Sequence, residues 1–224
     1  MCGRFTLASP DPSQIRERFP IGERLEVRRR FNVAPGDDVL AVVRRAAQPE
    51  GALLRWGLVP HWASNPRDLG VTTINARAET VAERPLYRDA FARKRCLVVA
   101  DGFYEWSGGT PHWITREDGE PFAFAGLWAS WRPQTDDAVE PLRSCTIVTT
   151  AATGPVRALH DRMPVILPRS AEDAWLDPET PAAELHELLA PSPTLVARPV
   201  SRAVNDARHD APDCLGPPEQ AALF

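Results

Sequence analysis

The chain has 224 residues, a formal net charge of −4, and 43% hydrophobic and 25% charged residues, which predicts one soluble domain with a substantial core. The acidic balance argues against a broadly electropositive surface, although a local arginine patch can still bind phosphate. No apolar run approaches a membrane span and no signal-peptide pattern opens the chain, so we expect a cytoplasmic protein with no membrane partner.

The first half of the chain mixes helices and strands. The segment SPDPSQIRERF predicts a short helix with Ser9 as its N-cap, because its prolines suit only a first turn. A Pro-Gly turn then precedes a strand at residues 39–44, and ALLRWGLVPHW predicts a strand that ends at Pro60. Residues 85–94 suit a helix with one apolar face.

The second half is rich in predicted strands. Short runs of β-branched and aromatic residues indicate strands at CLVVA, FYEW, HWITR, FAFAGLWASW, CTIVTT, PVILP and TLVARPV. Residues 170–176 predict a helix in which Ser170 and Asp173 form a near capping box, and leucines at 185–189 mark another. The run RPQTDDAVEP predicts a polar loop, and the tail after Asn205 is predicted to be loosely structured.

These elements predict an α+β fold. We expect a single domain over residues 1–224 of mainly antiparallel, barrel-like β-sheets with a few flanking helices. The four cysteines are scattered and form no C-x-x-C pair, so we expect reduced thiols, no zinc or other metal site, and no cofactor.

The N-terminal sequence MCGRF raises a question of chemistry. If the initiator Met is removed, Cys2 carries a free α-amine and a thiol on adjacent carbons, a pair of nucleophiles that no internal residue has. The alternative is a small buried residue at the start of a first strand, a common role for cysteine.

Two polar motifs interrupt apolar segments. TINARAET carries Asn75, Arg77 and Glu79, and VVADGFYEW places Glu105 among aromatic residues just after an Asp-Gly turn. A carboxyl group in such surroundings has a raised pKa, which suits a general acid or base. The alternative is an exposed glutamate on the solvent face of a hairpin.

Two further motifs contain histidine. In RALHDRMPVIL, His160 precedes a strand and can carry protons near neutral pH, or it can be a hydrogen-bonded structural residue. In WGLVPHW, Trp56, His61 and Trp62 can stack on unpaired bases, although most tryptophans belong to a core. No P-loop, G-x-G-x-x-G, H-E-x-x-H or G-x-S-x-G motif is present.

Taken together, six blocks resemble the SOS response-associated peptidase family, whose members process abasic sites and crosslink to DNA. The blocks are MCGRF, RFNVAPG, WGLVPHW, INARAET, ADGFYEW and HDRMPVIL, in family order between residue 2 and about residue 167. A weaker match follows at PVSRAVND. The resemblance implies a monomeric sensor of abasic sites in single-stranded DNA that protects the site during the DNA damage response, with lyase-type Schiff-base chemistry and self-processing of Met1.

The resemblance also implies roles for individual residues. Cys2 would form a thiazolidine with the sugar aldehyde, Glu105 would shuttle protons, and His160 would promote ring opening of the sugar and reversal. Asn75 would hold the Cys2 terminus or the sugar. The residues expected to contact DNA or line its pocket are Arg4, Asn32, Trp62, Arg77 and Arg162.

Two other classes of protein share part of this pattern. Class II glutamine amidotransferases also begin Met-Cys-Gly, but their continuation and glutamine-pocket pattern are not found in this sequence. A non-catalytic reader of single-stranded or modified DNA would bind reversibly and would not need Cys2.

Overall fold

The computed structural model describes residues 2–8, 11–45, 48–65, 73–133, 140–190 and 194–218. The strands are β1 (Phe5–Leu7), β2 (Arg30–Val33), β3 (Asp38–Arg45), β4 (Gln48–Trp56), β5 (Asn75–Arg77), β6 (Arg95–Ala100), β7 (Gly102–Ser107), β8 (Thr110–Arg116), β9 (Phe122–Trp131), β10 (Leu142–Ala151), β11 (Arg162–Pro164), β12 (Ile166–Leu167) and β13 (Leu195–Pro199). The helices are α1 (Pro12–Arg18), α2 (Arg88–Arg93), α3 (Glu172–Leu176) and α4 (Ala182–Glu187). None of the helices in these ranges is long and apolar enough to cross a membrane.

The strands form two sheets. The smaller sheet has five strands in the order β13-β8-β7-β1-β2, and all its pairings are antiparallel. The larger sheet has eight strands and follows the path β11-β10-β4-β3-β6-β9-β12, with β5 attached to β10. In the larger sheet β10 runs parallel to β4 and β5, whereas its other pairings are antiparallel.

The predicted α+β fold with mainly antiparallel strands is confirmed. Strand β9 pairs with β10 as well as with β6, which curves the larger sheet back on itself. The smaller sheet stays separate, so the two sheets do not close into one true barrel.

Strand β6 is a continuous run of mostly apolar residues because it packs into the core on both faces. Leu97 and Val99 belong to a cluster that also contains residues of all four helices, whereas Cys96 and Val98 belong to a cluster shared by strands of both sheets. Successive side chains of a strand point to opposite faces, so both faces of β6 are buried.

Several predicted boundaries differ from those of the structure. Helix α1 is capped by Asp11, whose carboxylate accepts a hydrogen bond from the Ser13 amide at 2.8 Å, so the predicted cap at Ser9 is wrong. Ser9 itself lies outside the described residues. Strand β4 ends at Trp56 rather than at Pro60, because Gly57 turns the chain with a φ of +128°.

The later helices also begin at other residues than predicted. Turns occupy the start of the segment 85–94, and α2 begins only at Arg88. Ser170 lies in a 3₁₀ turn, and the N-cap of α3 is Ala171 with no side-chain hydrogen bond, so the predicted capping box is wrong. Most of the predicted polar loop at 132–141 lies outside the described residues.

The C-terminal segment, residues 201–218, is ordered against β2. The carboxylate of Asp210 accepts hydrogen bonds from the amides of Phe31 and Asn32 at 2.5 and 2.9 Å. Cys214 is buried in a small cluster with Phe31 and Tyr104. The prediction of a loosely structured tail after residue 205 is therefore wrong as far as residue 218.

Candidate active site

The pairing of β1 with β7 fixes the position of the N-terminus. Phe5 lies opposite Phe103, and the Tyr104 amide donates a hydrogen bond to the Arg4 carbonyl at 3.0 Å. Because the two strands are antiparallel, the residues before Phe5 run alongside Glu105. Cys2 is fully buried there, and its thiol lies 3.7 Å from the Arg4 carbonyl oxygen.

The surroundings of Cys2 keep its thiol protonated. Burial raises the pKa of the Cys2 thiol well above its ordinary value, and the negative charge of Glu105 raises it further. The antiparallel pairing of β1 with β7 brings Glu105 to the same end of these strands as Cys2. In this setting the sulfur needs a proton acceptor before it can attack as a thiolate.

Glu105 is the carboxyl group that can serve as this proton acceptor. Its residue is 3% exposed, so the alternative of a solvent-facing glutamate is wrong. Burial raises the pKa of the Glu105 carboxyl, and the positive charge of His160 acts against the rise. A buried carboxyl group under opposing charge effects can serve as a general acid or base.

His160 is held by hydrogen bonds at its backbone and its ring. Its amide donates to the Val156 carbonyl at 2.8 Å, at the end of the 3₁₀ turn Gly154–Ala158. Its Nδ1 lies 2.9 Å from the Arg162 amide and 2.8 Å from a carboxylate oxygen of Asp161. These contacts fix the orientation of the imidazole ring just before β11.

Asn75 ties the N-terminal residues to β5. Its side-chain amide donates to the Cys2 carbonyl at 2.8 Å, and its own carbonyl accepts from the Tyr87 hydroxyl at 3.0 Å. The side-chain oxygen of Asn75 is buried and has no hydrogen-bond partner among the residues the structure describes. Asn75 reaches this place because β5 pairs with the centre of β10, opposite Ile147.

The arginines expected to contact DNA differ in their surroundings. Arg77 is exposed on β5. Arg162 makes two hydrogen bonds with the Glu79 carboxylate, at 2.5 and 2.9 Å, and a third with the Thr149 carbonyl at 2.6 Å. The Arg162 hydrogen bond lowers the pKa of the Glu79 carboxyl. A phosphate that binds Arg162 must therefore compete with Glu79.

Arg4 and Asn32 form a network with the C-terminal segment. One nitrogen of Arg4 donates to the Asn32 side-chain oxygen and to the Val204 carbonyl, both at 2.8 Å. The Asn32 side-chain nitrogen donates to carbonyls of the same segment, at Val204, Asp206 and His209. Asn32 is fully buried, and its side chain positions Arg4 rather than offering an exposed contact to DNA.

The tryptophans of the WGLVPHW motif have different environments. Trp56 is a core residue, packed edge-to-face on Phe5 with 5.1 Å between ring centroids. Trp62 is 50% exposed and borders a cavity of about 190 Å³ together with Lys94 and Trp128. Only Trp62 of these two motif tryptophans presents a surface on which a base could stack.

The structure thus brings together the four residues expected to be catalytic. A hydrogen bond joins Asn75 to Cys2, the pairing of β1 with β7 brings Glu105 alongside the residues before Phe5, and the charge of His160 acts on Glu105. Sequence reasoning missed the support that Tyr87 gives to Asn75 and Thr149 gives to Arg162. The first contact joins the turn before α2 to β5 and the second depends on the pairing of β10 with β11, so no local sequence motif marks either residue.

The fold and site define a class of α+β proteins. In this class the first strand places a cysteine near the N-terminus alongside a buried glutamate on the neighbouring strand. Residues 1–207 match the family described as SOS response associated peptidase (SRAP), and the chain belongs to this family. The resemblance drawn from the six sequence blocks is therefore confirmed.

Proteins similar to this chain include curated relatives and solved structures. The abasic site processing protein YoaM of Bacillus subtilis is 38% identical over 96% of this chain and 97% of its own length. The abasic site processing protein YedK of Escherichia coli is 30% identical over 97% of this chain and 100% of its own length. A crystal structure of a Bordetella bronchiseptica protein matches with a TM-score of 0.75 and 31% identity, covering 89% of this chain and all of that one.

Proposed function

We propose that this chain processes abasic sites in single-stranded DNA by forming a covalent link through Cys2. The observation that carries the proposal is the Asn75 hydrogen bond that holds the Cys2 backbone, while strand pairing brings Glu105 alongside the same N-terminal residues. The names of the relatives YoaM and YedK, both abasic site processing proteins, support the same substrate.

The proposed reaction uses both nucleophiles of Cys2 after removal of Met1. An abasic deoxyribose in its open form has an aldehyde, and the freed amine adds to that carbon to give a carbinolamine. Loss of water gives an imine. The thiol then adds to the imine carbon, its proton passes to the nitrogen, and a five-membered thiazolidine results. The second addition is intramolecular, which favours it strongly over attack by a separate thiol.

Glu105 is the proposed proton carrier in both steps. The raised pKa favours a protonated carboxyl group, which would deliver its proton to the departing hydroxyl of the carbinolamine. The resulting carboxylate can then accept the proton of the Cys2 thiol, which burial and negative charge hold in the neutral form.

His160 and Asn75 have proposed supporting roles. His160 would protonate the ring oxygen of the closed sugar and so promote its opening to the aldehyde, and it would act in reverse when the link is released. Asn75 would fix the direction of the Cys2 amine by holding the adjacent carbonyl.

The proposed DNA contacts are made by three arginines and one tryptophan. Exposed Arg77 would bind a phosphate directly. Arg162 would bind a phosphate after giving up its hydrogen bonds to the Glu79 carboxylate. Arg4, held by its hydrogen bond to Asn32, would contact a DNA phosphate. Trp62 would stack on a base next to the abasic nucleotide. A single strand is preferred because its abasic nucleotide enters the site with no base pairs to break. We also propose that the chain has lyase activity and removes its own Met1.

A denaturing gel with an abasic single-stranded oligonucleotide tests the proposal. The parent chain without Met1 is expected to give a heat-stable shifted band, and Cys2→Ala is expected to give none. His160→Gln and Asn75→Ala are expected to slow the appearance of the band. Equal crosslinking by Cys2→Ala would rule out Cys2 as the linked residue.

Cys2→Ser is the matched control for the two steps. Serine keeps the α-amine, so this variant is expected to form the imine but no stable thiazolidine. Its band should therefore appear only when borohydride is added to reduce the imine. A stable Cys2→Ser band without reductant would show that the thiol is not needed.

A further inference from the structure

The C-terminal segment contains a second group of reactive side chains. His209, Asp213 and Cys214 present an imidazole nitrogen, a carboxylate oxygen and a sulfur that all lie within 4.8 Å of one another. The His209 Nε2 lies 2.7 Å from the Asp213 carboxylate. The mechanism proposed above uses none of these three residues.

The distances match a tetrahedral metal site. Zinc bonds to nitrogen and oxygen at about 2.0–2.2 Å and to sulfur at about 2.3 Å, so ligand atoms in a tetrahedron lie about 3.5 Å apart. Small side-chain rotations can bring three atoms that already lie within 4.8 Å of one another to that spacing. Imidazole, carboxylate and thiolate are all ligands that zinc accepts.

The burial and local fold also suit an ion. Cys214 is fully buried, whereas the side chains of His209 and Asp213 are 40% and 62% exposed, so an ion can enter from solvent and reach a sulfur held inside. The 3₁₀ turn Pro212–Leu215 carries Asp213 and Cys214, and the Asp206 carbonyl accepts from the His209 amide at 3.1 Å. The backbone therefore already holds all three ligands.

The charges around the group favour a cation. Asp210 and Asp213 place two negative charges near Cys214 in the chain, and the Asp213 carboxylate contacts His209. Arg30 forms an ion pair with Asp210, and Arg208 forms one with Asp206, so these nearby arginines are already paired. A divalent cation bound by the three side chains would offset these negative charges.

We propose that His209, Asp213 and Cys214 form a zinc site that fastens the C-terminal segment to the body of the protein. The site would act on structure rather than on DNA directly. The His209 carbonyl accepts from the Asn32 side chain, which in turn holds Arg4, so the site is connected to the N-terminal strand.

Cobalt and zinc titrations of the purified full-length chain test the site. The Cys2→Ala chain is used so that the N-terminal thiol cannot bind metal. We expect one zinc per chain by elemental analysis, a cobalt–thiolate charge-transfer band in the near ultraviolet, and a higher Tm with zinc.

The variants separate the three ligands from other groups. Asp213→Asn keeps the exposed surface intact and is expected to weaken zinc binding by about 10-fold or more, since even outer-shell changes weaken metal binding by about 10–100-fold. Cys214→Ser is expected to abolish the cobalt–thiolate band. His112→Gln, which changes a histidine in β8, is expected to bind zinc as before.

Three results would overturn the site. These are no zinc bound by the Cys2→Ala chain, an unchanged cobalt band in Cys214→Ser, and unchanged affinity in Asp213→Asn. Crosslinking to DNA does not enter these measurements, so they test the zinc site independently of the Cys2 chemistry.

Discussion

At the scale of single residues, the site depends on burial that sequence motifs do not report. The motif ADGFYEW identified Glu105 as an acid or base but left open whether it faced solvent. The structure places it 3% exposed and beside Cys2. The aromatic neighbours in the motif indicated an apolar setting, whereas the proximity of Cys2 depends on the pairing of β1 with β7.

Glu105→Gln tests the raised pKa of this carboxyl group. Because the folded-state pKa is raised, the parent chain is most stable with Glu105 protonated and loses that contribution as the pH rises through the folded-state pKa. Glutamine stays neutral at every pH. The variant should therefore gain stability relative to the parent as the pH rises above about 4, the ordinary pKa range of a glutamate carboxyl. Urea denaturation at several pH values measures this difference.

The same variant should crosslink more slowly. Glutamine cannot release or accept a proton in this role, so we expect the rate to fall by about 100-fold, within the range for general acid–base catalysis. A stability difference that is independent of pH would argue against a shifted Glu105 pKa. An unchanged crosslinking rate would remove Glu105 from the proposed mechanism.

At the scale of elements, the C-terminal segment differs most from what its sequence predicts. Its polar and proline-rich composition is typical of a loose tail, and regular periodicity is absent. Its order comes from single contacts: Asp210 accepts from two amides of β2, and Cys214 is buried beside Phe31. Such contacts join residues that are about 180 positions apart, and local sequence patterns do not report them.

Asp210→Ala tests this attachment. The change leaves the amides of Phe31 and Asn32 without their acceptor and removes the partner of Arg30, so we expect the free energy of unfolding to fall by about 1–3 kcal/mol. The midpoint of urea denaturation, at an unchanged m value, measures the loss. Asp206→Ala changes an exposed acid of the same segment and should leave the midpoint unchanged. Equal midpoints for both variants and the parent would contradict the attachment.

At the scale of the whole molecule, the strand-rich α+β class follows from the sequence, but the connections between strands do not. Runs of β-branched and aromatic residues predict most strands of the second half. A strand such as β6 has a continuous apolar run because both of its faces are buried. The parallel pairing of β10 with β5 brings Asn75 to Cys2. Parallel partners lie far apart in the chain, so local periodicity does not identify them.

Gly126→Ala tests how closely the strands of the larger sheet pack. A Cβ atom at this position of β9 would lie 2.7 Å from the Cys96 sulfur and 3.2 Å from the Cys96 carbonyl oxygen. We expect a loss of about 1–3 kcal/mol in the free energy of unfolding, as for other overpacked cores. Gly22→Ala is the matched control, because its added Cβ would meet nothing within 4 Å. Equal losses in both variants would contradict the close packing.

The intact mass of the protein–DNA conjugate, before and after borohydride, tests the thiazolidine proposal most directly. The chain without Met1 should give a conjugate whose mass equals protein plus abasic strand less one water, and borohydride should leave it unchanged. The Cys2→Ser conjugate should be trapped only with borohydride and carry the added hydrogen. A parent conjugate that also takes up hydrogen would be an imine and would contradict the ring. A parent chain that forms no conjugate would contradict the covalent chemistry altogether.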